Sequence, residues 1–197
     1  MTSLYVTEAF DNSRQKAILH SAFQAFSTYG YKKTSMDDIA RGAGMSRPAV
    51  YLHYKNKEAI VSKLTELYYA EKSVAVAEAL ATQGSVPEVL TRAIQAQTEG
   101  MAKILASPHG LEILDNTKSL SGEIIAAGEA RLAALYADWL TQQEKAGRVR
   151  LLADAAETGR TITATLKGLK LIGAGAEVYE QQVAQVAALF GAGLEVR

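Results

Sequence analysis

The sequence predicts an all-α protein. It reads as a three-helix N-terminal domain (residues 1–56) followed by a larger helical bundle (residues 57–197), with about nine helices in total. Three observations predict this. Only three prolines, at 48, 87 and 108, interrupt a chain rich in the strong helix formers Ala, Leu, Glu and Gln. Apolar residues recur at helical spacing in segment after segment. The breaks between segments carry the residues that start and stop helices.

The first helix is expected over 13–29. Asn12 stands as its N-cap and Gln15 at the capping-box position. Ile18, Ala22, Phe26 and Tyr29 make its apolar stripe, widened by Phe23, and Gly30 closes it as a left-handed C-cap. A short second helix starts at a Thr34 or Ser35 cap, carries Asp37 and Asp38 in its first turn, and stops at Gly42 or Gly44. The third, about 47–53, is capped by Ser46, with Pro48 in its first turn where a missing N–H costs nothing.

Asn56 caps a long fourth helix from Lys57 to about Ala81. A fifth runs from Ser85 to about Ala106, a sixth from Pro108 to about Thr117, and a seventh from about Ser121 to Lys145. Asp154 and Glu157 form a D-x-x-E box opening an eighth helix to about Ile172. Gly173 and Gly175 precede a last helix from about Glu177 to Phe190. No linker separates the two domains, so the fourth helix itself is expected to join them.

Composition excludes several function classes. With no cysteine there is no disulfide framework, no thiol nucleophile and no thiolate metal site. His20, His53 and His109 show no metal-ligand spacing, and His109 with nearby Ser107 and Asp115 is a chance neighbourhood rather than a catalytic triad. No enzyme activity, metal or cofactor is therefore expected. The opening MTSLYVTEAF lacks a basic segment followed by an apolar run, and no stretch is long enough to span a membrane. A cytoplasmic protein is the expectation. Net charge is zero overall but uneven: residues 1–60 carry +3 and the remainder −3. A basic head on an acidic body suits a nucleic-acid partner, although a difference this small is common by chance.

The segment 34–54, TSMDDIARGAGMSRPAVYLHY, carries the chemistry. A helix-turn-helix needs a short first helix, a tight turn and a second helix whose N-terminal residues meet base edges. Ile39, Ala40, Ala43, Met45 and Val50 hold the two helices together, with Gly44 in the turn. Arg47, Pro48, Tyr51, Leu52 and His53 are left on or near the outer face. Arg47 can fork onto guanine or pair with a phosphate, and Pro48 can meet a thymine methyl. Tyr51, His53 and Lys57 suit phosphate and sugar contacts, and the N–H groups of Thr34 and Ser35 offer an anion site at a helix start. Taken singly, each has a plainer reading as a packed tyrosine, a surface histidine or a solvated charge. The ordered set carries the argument.

The run 30–61, GYKKTSMDDIARGAGMSRPAVYLHYKNKEAIV, resembles the DNA-binding domain of the tetracycline-repressor (TetR) family. The matching positions are Gly30, Tyr31, Thr34, Ser35, Ile39, Ala40, Ala43, Gly44, Met45, Ser46, Pro48, Val50, Tyr51, His53, Tyr54, Lys57 and Glu58, with Tyr54 where Phe is usual. The resemblance spans residues 11–62. It implies that Thr34, Ser35, Met36, Ser46, Arg47, Pro48, Tyr51, His53 and Lys57 approach operator DNA. It also implies a homodimer through the last two helices, and a small-molecule effector that respaces the two heads and releases the DNA.

The body itself shows apolar stripes. One is Ile162, Leu166, Leu169 and Ile172; the other is Val178, Val183, Val186, Leu189 and Phe190. Both suit close packing inside the subunit or across a dimer. A hydrophobic or amphipathic effector is expected against Ile94, Thr98, Met101, Leu105, Leu114, Tyr136 and Trp139, with Gln95, His109 and Asn116 as further polar anchors. The competing reading of each is ordinary core. The alternative function is a DNA-binding dimer without an effector, acting as an activator or under a protein partner.

Overall fold

The computed structural model describes residues 13–172 and 175–196. The expected cap Asn12 and the break residue Gly173 lie outside them. Among the described residues the chain is helical. The order is α1 (Ser13–Tyr29), α2 (Met36–Gly42), α3 (Arg47–Tyr51), α4 (Lys57–Leu80), α5 (Val86–Thr98), α6 (Met101–Leu105), α7 (Gly110–Leu120), α8 (Gly122–Lys145), α9 (Ala155–Leu171) and α10 (Ala176–Leu194). Outside the helices an isolated antiparallel bridge pairs Val149 with Glu195. No described helix is long and apolar enough to cross a membrane.

The caps sit where the sequence places them. The Ser46 hydroxyl accepts the Ala49 N–H, Asn56 Oδ1 accepts the Ala59 N–H at 2.9 Å, and Asp154 accepts the Glu157 N–H at 2.7 Å. Each satisfies an amide that the first helical turn leaves without a partner. At Ser35 the box is reciprocal, with Asp38 filling the place usual for Glu.

Three elements differ from expectation. The fifth helix stops at Thr98 rather than running to Ala106, because Gly100 turns into the left-handed region (φ +83°). Beyond that glycine the chain forms only the single turn α6. The next helix starts at Gly110, not Pro108: Ser107 and Pro108 form a turn closed by the Gly110 N–H on the Ser107 carbonyl (3.1 Å). Helix α10 continues past Phe190 to Leu194, with Gly191 inside it as a close-contact residue. A Cβ on Gly191 would lie 2.8 Å from both Cα and Cβ of Pro87 in α5.

Two compact units emerge. The first takes the described chain up to Glu71 together with Lys103–Ile125, and the second takes Lys72–Ala102 and the described chain from Ala126 onward. The expected border after residue 56 coincides with the start of α4, which runs unbroken from one unit into the other. In the first unit Ile18, Leu19, Ala22 and Phe26 of α1 are buried, as are Ile39 of α2, Val50 of α3 and Ile60 of α4. The Ser21 hydroxyl donates to the Ile39 carbonyl at 2.8 Å and ties α1 to α2. In the second unit α10 packs extensively on α5 and also on α9. Leu90, Ile94, Leu132, Tyr136, Leu140, Ile162 and Leu166 are fully buried there.

Gly159 of α9 shows how close these helices come. A Cβ there would fall 2.5 Å from the Ala133 carbonyl oxygen of α8. Alanine is the better helix former by about 1 kcal/mol, but backbone cannot yield as a flexible side chain does. Gly159→Ala is therefore expected to lower stability by about 1–3 kcal/mol, the usual cost of overpacking, as read by urea denaturation. A stabilised variant would show that α8 and α9 are not packed this tightly.

Candidate nucleic-acid interface

The candidate surface is built by three short pieces of chain. Gly30 ends α1 in the left-handed region (φ +86°), and residues 31–35 turn into α2. Gly44 (φ +66°) makes the turn between α2 and α3, with the Met45 N–H returning to the Ala40 carbonyl at 2.9 Å. Only the buried Val50 anchors the five-residue α3 on its inner side. After Tyr51 the backbone loosens, and His53 and Tyr54 both donate their N–H groups to the Val50 carbonyl at 3.0 Å. Tyr54, where the family pattern has Phe, is buried, and burial pushes its phenol up to about 12.

The outer face of α3 presents Ser46, Arg47, Pro48 and Tyr51, all exposed. Leu52, just past α3, is 86% exposed, and His53 is half-buried. Arg47 is oriented. One guanidinium nitrogen donates to Asp37 Oδ2 at 3.2 Å, the other to the Tyr51 hydroxyl at 3.3 Å, and the group lies 5.4 Å from the centre of the Tyr51 ring. Asp37 and Arg47 are each more than half exposed, so the pair adds little stability and gives way readily to a stronger acceptor. Lys32, Lys33, Arg41 and Lys55 add exposed positive charge in this unit. They belong to no motif position, and their only sequence signal was the basic balance of the head.

Four expected contact residues are placed differently. Thr34 is 2% exposed; its hydroxyl donates to the Gly30 carbonyl at 2.8 Å and its N–H to the same oxygen at 3.2 Å. The Ser35 N–H and hydroxyl both donate to Asp38 Oδ2, at 2.9 and 2.6 Å. The expectation of a free anion site at Thr34 and Ser35 is thus corrected: the anion at this helix start is the chain's own Asp38, whose carboxyl Ser35 holds below the usual range. Met36 is buried in the head.

Lys57 is turned inward. Its ammonium donates to the carbonyls of Tyr31 and Thr34, both at 2.7 Å, and sits 4.4 Å from the centre of the Tyr31 ring. Two of its three N–H groups thus serve the fold. Next to it, the Tyr31 hydroxyl donates to Glu58 at 3.0 Å. Burial first, and Glu58 second, push that phenol up to about 12, so it stays a donor.

The expected effector residues divide between the units. Ile94, Thr98, Met101, Tyr136 and Trp139 are buried in the second unit, whereas Leu105 and Leu114 are half-buried in the first. A hollow of about 560 Å³ in the first unit is lined by none of these seven; His109 and Asn116 do line it. Among the described residues no group of three or more His, Asp or Glu is arranged to hold a metal ion.

Residues 18–64 match the family model for bacterial regulatory proteins of the tetR family. The HTH-type transcriptional repressor Rv1474c of Mycobacterium tuberculosis is 31% identical over 145 residues, 74% of this chain and 74% of that protein. Other curated relatives match over less of their own length: 38% for YezE of Bacillus subtilis, at 34% identity over 37% of this chain, and 25% for EthR of Mycolicibacterium smegmatis, at 38% identity over 28% of this chain. Among solved structures, the TetR family regulator PfmR of Thermus thermophilus superposes with a TM-score of 0.68 at 26% identity, over 91% of this chain and 99% of that one. SmeT, the repressor of a Stenotrophomonas maltophilia multidrug efflux pump, was solved with triclosan and shares the fold, with a TM-score of 0.68 at 19% identity over 94% of this chain and 93% of that one.

The inward lysine and the internal anion lead to two expected outcomes. Lys57→Met keeps the stem but removes two charge-assisted hydrogen bonds, so it should destabilise the head by about 2–3 kcal/mol in thermal or urea unfolding. An unchanged midpoint would mean that the ammonium faces solvent. Asp38 has a lowered folded pKa, so its contribution is present above the unfolded value and is lost as pH falls through the folded one. Asp38→Asn should therefore flatten the acid limb of the stability profile below about pH 4, where an ordinary aspartate begins to protonate. A carbon-detected NMR titration placing the Asp38 carboxyl at its ordinary value would contradict this.

Proposed function

The chain belongs to the TetR family of bacterial regulatory proteins, and from that membership we propose that it is a cytoplasmic, dimeric repressor that binds operator DNA through α3. The single observation that carries the reading is the α3 face. Arg47, Pro48 and Tyr51 are exposed together on a helix whose other side is locked into the head by Val50. A short helix held this way presents its N-terminal residues to a major groove. Arg47 reads a guanine when its guanidinium leaves Asp37. Tyr51 and His53 hold the flanking backbone. Thr34, Ser35, Met36 and Lys57 act mainly by shaping the head that carries this face, and Ser46 both caps α3 and faces the DNA.

The dimer is assigned to α9 and α10. Ile162, Leu166 and Val183 are consumed by the core, yet Leu171, Ile172, Val178 and Leu189 remain exposed, Leu189 at 65%. Large apolar side chains left outside on the last two helices suit a matching copy of the same surface. Release by a small molecule is assigned to the second unit. The fully buried Tyr136 hydroxyl and the Gln97 Oε1 have no protein hydrogen-bond partner. Buried polar atoms of this kind need a partner, and a ligand with an apolar body and a polar group supplies one. Ile94, Met101 and Trp139 are the apolar company proposed for it, with Thr98 beside them, its hydroxyl donating to the Ile94 carbonyl.

Selection from a randomised duplex library, followed by mobility shift, tests the DNA reading. The wild type should enrich a two-fold symmetric site and bind it with a steep inverse salt dependence. Arg47→Ala should cost about 1–3 kcal/mol at the preferred site and relax preference at the base it reads. No enriched sequence would sink the proposal. Leu189→Glu should yield a monomer by analytical ultracentrifugation and abolish tight operator binding. A variant still dimeric would move the interface elsewhere.

A further inference from the structure

One polar tie joins two stretches of the first unit that lie far apart in the chain. Glu112 stands in the first turn of α7. One of its carboxylate oxygens accepts the backbone N–H of Lys32 at 3.3 Å. The other lies 2.9 Å from Nδ1 of His109. The Lys32 N–H is the largest cause that holds the carboxyl below its usual range; partial desolvation opposes it, and His109 and the Tyr31 backbone add to it.

The fit is close. A Cβ on Gly30 would fall 2.7 Å from Glu112 Oε2 and 3.0 Å from His109 Nδ1. The end of α1, the turn after it and the start of α7 thus converge on one carboxylate. The Glu112 and His109 side chains are only about 30% exposed. An ordinary surface ion pair between long side chains wanders. A carboxylate that accepts from the backbone is tied to the turn for as long as that bond holds.

The same turn is held from the opposite chemical side by Lys57, which takes the carbonyls of Tyr31 and Thr34. Residues 31–34 therefore have a main-chain N–H gripped by α7 and carbonyls gripped by α4. This turn delivers the chain to the Ser35 cap, and α2 in turn packs on α3. We infer that Glu112, which lies outside every helix-turn-helix position, is a positioning residue for the DNA-binding face. It sets the turn from which α2 and α3 are hung. The inference rests on the DNA-binding reading above.

Lys32, His109 and Glu112 line the 560 Å³ hollow together with Tyr29, Lys33, Asp115 and Asn116. Water reaches the tie from there, so exchange of the Lys32 amide reports on it directly. The experiment uses the full chain and the operator enriched by the wild type. Amide exchange by NMR and operator affinity are measured for the wild type, Glu112→Ala, Glu112→Gln and His109→Ala. Glu112→Ala should speed Lys32 exchange about tenfold, the size of one charge-assisted hydrogen bond. Amides in α9 and α10 should not change. Operator affinity should fall about tenfold in parallel, with the salt slope unaltered, since no phosphate contact is removed. Glu112→Gln keeps an oxygen acceptor and should restore most of both losses. His109→Ala leaves the Lys32 bond and should show the smaller effect. Should Glu112→Ala fail to fold, Glu112→Gln against His109→Ala still ranks the two halves of the tie.

Unchanged Lys32 exchange in Glu112→Ala would overturn the tie. Faster exchange with undiminished operator affinity would overturn its positioning role. A wild type that enriches no operator would remove the DNA reading itself, and this inference with it, before any variant is compared.

Discussion

The peptide groups of residues 31–34 lie in neither helix nor sheet, and the head depends on how they are satisfied. A main-chain amide or carbonyl withdrawn from water without a partner costs about 1–3 kcal/mol. Here the partners are charged side chains from elsewhere in the chain. Lys57 takes two carbonyls and Glu112 takes an amide, while Thr34 turns its hydroxyl back to Gly30. The turn is thus defined by groups of opposite charge acting on opposite ends of the peptide dipole. Gly30 is required at its start for the left-handed backbone, and the Glu112 carboxylate rests in the space that the missing side chain leaves.

The two helices hung from that turn cannot stand alone. At seven and five residues they lie far below the length at which an isolated helix holds together. Both survive through caps and packing. Ser35 and Asp38 satisfy each other's amides at the start of α2, while Ser46 and Pro48 open α3. Ile39, Ala40 and Val50 provide the burial. The arrangement separates the jobs of the residues. Those that face inward fix the angle at which α3 is held, and those that face outward remain free to change with the sequence to be read. Arg47 belongs to the second group, held only by an exposed partner and an exposed phenol.

Local chemistry was legible in the sequence, and distant chemistry was not. Ser35, Ser46, Asn56 and Asp154 all cap the helices that their positions announce, because capping acts over three residues. Gly100 carries no decisive signal, because a glycine inside an apolar-periodic run reads equally as a tolerated helix residue or as a stop. Thr34 and Lys57 were recognised as motif residues, yet their atoms point inward, and spacing along the chain does not say which way a long side chain turns. Glu112 had no signal at all. Its partner amide belongs to Lys32, and no local pattern encodes a contact made by a main-chain group eighty residues away. On α9 and α10 the stripes were seen, but only burial separates the members spent on the core from those left outside.

The molecule divides where long-range packing, not local motif, sets the border. A border drawn from motifs falls at residue 56, after the last recognisable head residue. Packing draws one after Glu71, leaving the buried Ile60, Val61 and Leu64 in the first unit, and gathers α7 into the same unit. Helices α4 and α8 each run unbroken across a border of this kind. A helix is stiff along its axis, since its hydrogen bonds run parallel to it. That hydrogen-bond ladder continues through both borders. The carboxylate of Glu112 acts wholly within the first unit. It sits in a helix that leads directly into α8, and it grips the turn on which the reading helix depends.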